Sequence, residues 1–435
     1  MIRTRGPVFR PGEAGYDAER DGFQQAGRHR PDLVVAAAGA DDVRAAVEYA
    51  AARDLPVAVQ ATGHGLAVTA EGGVLVATRA MADVRVDPGA RTAWVAAGAR
   101  WQRVIEEAAR HGLAPLSGSS PHVGAVGYTL GGGLGLLARR YGYAADHVRA
   151  FEIVTADARV RRLVPGDELF GALLGGGGNF GVVTGMEIAL VPVTRLYGGG
   201  LYFPASAEAV AAWRDWTRAV PDELTSAIGL IPFPDVPAVP EPLRGRHVLH
   251  VRVAFSGDAA AGERLVAPLR AAGPLLRDTL RELPYTESAS ISDDPPFAHA
   301  YAGTGVLLDD LDPAAAFEAA DPEAEPPCIV QVRHLGGALA APSPTLVGHR
   351  RARYALHVVT PLDGRDPAAV RAAHRSLAGT LKGSGTFLNF QYGPATAEQV
   401  RAAYEPDVYA ELARLKAVHD PGNLFRFNHN IPPAG

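Results

Sequence analysis

Glycine occupies positions 118, 124, 127, 131, 132, 133, 135 and 142 in the stretch from Ser117 to Asp146. A packed helix or strand does not tolerate that density, because each glycine forfeits side-chain burial and loses extra backbone entropy on folding. Main chain bared in this way can approach a large polar ligand closely, and a phosphate-bearing cofactor is the commonest such ligand. A flexible surface loop is the competing reading. Val123, Val126, Leu130, Leu134, Leu136 and Leu137 are interleaved with the glycines, whereas linkers favour Ser, Thr and charge. The stretch is therefore expected to be an ordered, buried cradle.

The chain has 435 residues, long enough for two or three domains. Its net charge of −5 and lack of a Lys/Arg-rich block leave nothing to attract nucleic acid. Cys328 is the only cysteine, which excludes an intrachain disulfide, a CxxC redox pair and a thiolate zinc site. Charge throughout the N-terminal stretch and the lack of a long apolar run predict a soluble, cytoplasmic protein with no membrane partner.

In chain order, residues 1–31 read as an extended arm with one short helix and nothing functional. Leu33 to Ala38 suits a buried strand, followed by a helix capped by Asp41 or Asp42. Pro56 to Val59 is a second strand that runs into Gln60-Ala61-Thr62-Gly63-His64-Gly65, so His64 falls in a glycine turn at a strand end. Val84–Val86 with Ala93–Val95, and Phe151–Val154 with Val160–Leu163, read as hairpins. A second glycine cluster, 175 to 178, precedes a strand over 182–190. This first part is mixed α+β, not a regular βαβ succession. Strands alternating with helices follow from residue 196, and 231–243 and 309–327 read as irregular loops. A helix over 407–418 leads to an apolar tail expected to dock on a domain.

Gly133 to Ala138 matches G-x-G-x-x-A, but no strand precedes it, which argues against a Rossmann site. His247 and His250, three apart on a strand, face opposite ways and cannot share a metal, so no metal site is expected. Taken alone, His64 reads first as a capped surface histidine, and only together with the distant cradle does it point to a site.

The segments ATGHG, SGSSPHVGAVGYTLGGGLG, YGYAAD, GGGGNFGVVT and NLFRFNHNIPP together resemble the FAD-linked oxidases of the p-cresol methylhydroxylase/vanillyl-alcohol oxidase fold. The likeness is strongest to the berberine-bridge-enzyme-like flavoproteins and bacterial 6-hydroxy-D-nicotine oxidase. It implies a two-part FAD-binding domain, residues 1–195 with the C-terminal segment 407–435, around a substrate-binding domain, 196–406, built on an antiparallel sheet flanked by helices. It further implies covalent attachment of FAD to His64. Gln60, Ala61, Thr62, Gly63 and Gly65 would serve the pyrophosphate. Ser117, Ser120, Val123, Gly124, Gly127, Tyr128, Gly132, Gly133, Gly135, Tyr141 and Asp146 would line the diphosphate, ribityl and flavin edge. Gly178, Val182 and Val183 would approach the adenine, and Asn428 and Asn430 would close over the ring.

Two departures qualify the resemblance. Ser120 stands where some members carry a second, cysteinyl flavin link, and Phe387-Leu388-Asn389 replaces a Y-x-N motif whose tyrosine is catalytic. The implied activity is oxidation of a small organic substrate, of secondary-metabolite type, at a C–H next to an OH or NH, with O2 as acceptor. A dehydrogenase, a tailoring cyclase or a non-catalytic flavin-binding homologue are the alternatives. With no phenol at 387, Asn389 and Gln391, alternating with Phe387 on one expected strand face, would orient substrate. His334 in QVRHLGG is the titratable candidate for a base, or else an ordinary sheet residue.

Overall fold

A computed structural model describes residues 2–435. Its described residues form three sheets of four, five and eight strands. The first orders Val8–Phe9, Leu33–Ala36, Val74–Ala77 and Val57–Gln60, the last three parallel. The helix Ala40–Ala51 covers it through Val43, Ala46, Val47 and Ala50. Gly39, not Asp41 or Asp42, is the N-cap. Asp42 lies inside the first turn, and its carboxylate accepts the N–H groups of Arg5, Gly6 and Ala38, pinning the N-terminal arm.

The second sheet is antiparallel and contains both expected hairpins, Val84–Asp87 with Thr92–Ala96 and Val148–Val154 with Val160–Leu163, joined through Val182–Ala189. The helices Trp101–Ala109 and Ala125–Leu130 bury their apolar residues in the same core.

The eight-stranded sheet starts at Arg195–Pro204 and also contains Leu224–Pro232, His247–Phe255, Ile329–His334, Tyr354–Pro361 and Tyr301–Leu308, all antiparallel pairings. Period-two alternation splits its two faces. Ile228, Val251, Val330, Val332, Leu356 and Val358 pack on one side with Trp213 and Val266 of the helices Ala207–Thr217 and Ala259–Arg270. Thr225, Ala227, Arg252, Gln331, Arg333 and His357 take the other. The fold is thus the expected α+β type. One expected loop departs: 309–327 includes a helix, Pro313–Glu318, capped by Asp312.

The C-terminal helix Pro406–His419 leads into a docked tail, as its apolar residues predict. Lys416 and Asp420 form a fully buried pair at 2.7 Å, and the ammonium also donates to Asn179 O and Phe425 O. Val57 N–H donates to Leu424 O. The tail therefore joins the strand before His64 to the second glycine cluster.

Candidate active site

A cavity of about 550 Å³ opens where the glycine segments meet the polar face of the eight-stranded sheet. Of the sequence-predicted residues, Gln60, Ala61, Thr62, Gly63, His64, Gly65, Ser120, Val123, Gly124, Gly127, Tyr128, Gly135, Gly178, Val182, Val183, Asn428, Asn389, Gln391 and His334 all border it. Distant parts of the chain converge there because the sheet closes over the cradle.

His64 is its best-defined group. The ring stacks flat on Phe23, with centroids 3.8 Å apart and planes 11° apart. Nδ1 lies 2.9 Å from Thr62 Oγ1, which also accepts Gly124 N–H, and the backbone carbonyl of His64 accepts the Tyr301 hydroxyl. Nε2 is buried and has no hydrogen-bond partner. Burial, reinforced by Arg100, His122 and His299, lowers the imidazole pKa to about 4, so the ring is neutral near pH 7. Phe23 comes from the N-terminal arm, as does His29 in the same wall, which corrects the expectation that nothing functional lies there.

The glycines serve two different purposes. A Cβ on Gly65, Gly127 or Gly177 would meet no atom within 4 Å, so these open onto free space along the cavity. A Cβ on Gly133 would come within 2.5 Å of the Tyr128 ring and one on Gly135 within 2.3 Å of Ser117 O. Those glycines fold the cradle on itself.

Six expected cofactor residues lie outside the cavity wall. Ser117 is buried with its hydroxyl 2.9 Å from that of Tyr285. Gly132 and Gly133 wedge into the core, Gly132 against Val347 and Phe387. Tyr141 packs edge-on to His147. Asp146 pairs with Arg350 at 2.8 Å, accepts Tyr143 N–H and bonds Ser343 and Thr345, so its carboxylate is spent on structure. Asn430 lies beyond the last wall residue, His429.

The expected strand over 387–391 is a 3-10 turn, Leu388–Phe390. Phe387 packs instead in the core with Tyr143 and Phe390. Asn389 reaches the wall, but its amide donates to Tyr128 O at 2.9 Å and is tied to the cradle. His334 touches the cavity at its strand end with its ring beside Tyr354 on the helix-packed side. Its Nε2 lies 2.9 Å from Arg139 Nη1, and burial together with Arg139 lowers its pKa to about 3. The imidazole is therefore neutral throughout the physiological range.

The wall also holds residues the sequence reading passed over: Arg252, Arg333, His357, Tyr301, Tyr392 and Asp294. Alternation was the available signal, since Gln331 and Arg333 share a face that His334 does not. His247 and His250 do face opposite ways, stacked on Phe317 and Tyr202 respectively.

Residues 31–163 match the model of an FAD binding domain, and residues 386–432 match that of the berberine and berberine like family. The chain is 31% identical, over 458 aligned positions, to (R)-6-hydroxynicotine oxidase of Paenarthrobacter nicotinovorans, with 100% of this chain and 98% of the relative covered. The crystal structure of 6-hydroxy-D-nicotine oxidase from Arthrobacter nicotinovorans superposes with a TM-score of 0.87 at 26% identity, covering 100% of this chain and 99% of that one. The carbohydrate oxidase of Microdochium nivale shares the fold, with a TM-score of 0.84 at 20% identity over 99% and 98% of the two chains. This chain therefore belongs to the berberine-like family of FAD-linked oxidoreductases that includes (R)-6-hydroxynicotine oxidase, and FAD is its cofactor.

Proposed function

We propose that this protein is a flavoprotein oxidase that carries FAD on His64, oxidises a small organic substrate at a C–H next to an OH or NH, and uses O2 as acceptor. The observation that carries this reading is the unspent Nε2 of His64, on a neutral ring clamped between Phe23 and Thr62. A neutral imidazole with one ring nitrogen free is suited to bond the flavin 8α-methyl carbon. The open glycines Gly65, Gly127 and Gly177 give main chain that a long, phosphate-bearing cofactor can approach. Ser120 has no thiol, so the attachment is single.

Bound FAD supplies the hydride acceptor and the reaction with O2. The substrate loses a hydride and a proton, and O2 gains two electrons and two protons to become H2O2. This chain's residues hold the substrate against the ring and take its proton. Burial raises the hydroxyls of Tyr128, Tyr301 and Tyr392, the last to about 12, so they are donors and not phenolate bases near pH 7. His357 is held neutral by burial and by Arg333, well below the usual histidine range. Asp294, which accepts the Ser119 hydroxyl at 2.6 Å, is the carboxylate of the wall and takes the proton of an alcohol substrate. A neutral amine substrate releases hydride without that step.

Residues 196–406 supply the substrate side, and 1–195 with 407–435 the FAD side. The names of its relatives, nicotine and carbohydrate oxidases, support O2 as acceptor. A cytoplasmic setting suits its single, buried thiol, Cys328.

Acid precipitation of the purified protein tests the attachment, and a colourless pellet under a yellow supernatant would sink it. A panel of secondary alcohols and amines, mixed anaerobically and then aerated, tests the acceptor. Bleaching that does not recover in air would make the protein a dehydrogenase.

A further inference from the structure

Arg252 and Arg333 flank Ala227 in one row across the eight-stranded sheet, since Ala227 pairs with Arg252 on one side and Arg333 on the other. Directly paired residues share a face, and this is the face turned to the cavity. Gly200 pairs with Arg252 and Ala355 with Arg333, so small residues flank both arginines in the row. Two strand spacings put their Cα atoms roughly 10 Å apart, a gap that two long side chains can close on one small anion.

Neither arginine is in a direct ion pair, and the one carboxylate whose charge reaches Arg333 is Asp294. The structural arginines behind the cavity are paired: Arg139 with Asp222 at 2.9 Å and Arg350 with Asp146 at 2.8 Å. Arg252 is only 7% exposed, and its Nε reaches no better partner than His250 Nδ1 at 3.3 Å. Arg333 Nη1 is shut off from solvent with no hydrogen-bond partner at all. Its Nη2 bonds Gln331 Oε1 at 3.2 Å, and its guanidinium lies 4.1 Å from the Phe390 ring centroid, which fixes its direction. Asp294 accepts the Ser119 hydroxyl through one carboxylate oxygen and is not in direct contact with either arginine, so a single carboxylate faces two guanidinium groups. Two largely desolvated guanidinium groups against one carboxylate leave an excess positive charge in this wall, which an anionic ligand would offset.

We propose that Arg252 and Arg333 together bind a carboxylate on the substrate, which makes the substrate class small organic acids that carry the oxidisable OH or NH carbon away from the carboxylate. A carboxylate fits better than a phosphate ester, because the sheet's own N–H groups are spent in the ladder, and the two guanidinium groups that remain suffice for two carboxylate oxygens and not for the further oxygens of a phosphate. This deepens the oxidase reading and depends on it only for the oxidisable end.

Calorimetric titration of the purified flavoprotein with benzoate and with benzamide, its neutral counterpart, tests the proposal. Benzoate should bind at least tenfold more tightly. Arg252→Met and Arg333→Met should each weaken benzoate at least tenfold and leave benzamide unchanged. Should either variant fail to fold, Arg252→Lys and Arg333→Lys, which keep charge but lose the fork, should weaken benzoate at least threefold. Equal affinity for the two probes, unmoved benzoate affinity in the variants, or inorganic phosphate binding as tightly as benzoate would each overturn it. A protein that binds benzoate as described but whose substrate-bleached flavin does not recover in air would sink the oxidase reading and leave the anion site standing.

Discussion

Phe23 lies flat against His64, 3.8 Å between ring centroids, although the two residues come from an N-terminal arm and a strand-end turn. The stack fixes the plane of the imidazole while leaving Nε2 free. Such a contact contributes about 0.5–1.5 kcal/mol. Phe23→Ala should therefore slow flavin attachment several-fold and lower the yellow fraction retained in an acid pellet. Attachment at the native rate would remove Phe23 from the site.

Val123 borders the cavity between the Trp101 helix and the cradle. The family resemblance implies that valine here leaves room for oxygen beside the flavin and that leucine blocks it. Val123→Leu should slow reoxidation in stopped flow and leave anaerobic flavin reduction nearly unchanged. Equal loss in both half-reactions would point to damage of the cradle instead.

His334 and Asp294 make opposite predictions for proton transfer. With a pKa of about 3, set by burial and Arg139, His334 changes charge well below neutrality. His334→Ala should leave the pH profile of flavin reduction between pH 5 and 8 where it was, while Asp294→Asn should lower the rate with alcohol substrates by 10²-fold or more. An amine substrate insensitive to Asp294→Asn would mark the route without a protein base.

His374, in the helix Pro367–Thr380, is fully buried with Nε2 2.9 Å from Thr360 Oγ1, and burial lowers its pKa to about 4. The native state then binds fewer protons than the unfolded chain, whose histidines titrate near 6.5. Its contribution to stability is full above pH 6.5 and is lost as pH falls through about 4. The loss is about 3 kcal/mol. Urea unfolding should show a His374→Leu variant with a flatter pH dependence across that window, and an unchanged slope would mean that His374 titrates normally in the folded protein.

The local elements and the cofactor cradle were legible in the sequence because they rest on short-range rules. Alternation marked the hairpins at 84–96 and 151–163, and glycine density with interleaved apolar residues marked an ordered cradle. His64 stood out by its glycine turn. The segment 387–391 misled because five residues of mixed polarity carry no reliable period, and packing of Phe387 into the core turned them into a 3-10 turn. Asp146 and Ser117 were misplaced for a related reason: both lie within the cradle sequence, yet their partners, Arg350 and Tyr285, lie far along the chain.

By itself the sequence determined the periodicities, the glycine turns, the single cysteine and the lack of a phenol at 387, since each is a property of residues close together in the chain. Only the tertiary structure decided that Phe23 clamps His64, that burial beside Arg139 removes His334 as a candidate, and that Arg252 and Arg333 flank Ala227 on one face. Those relations depend on strand register and on which face of a sheet is covered, and register is set by long-range burial that no local stretch of sequence records.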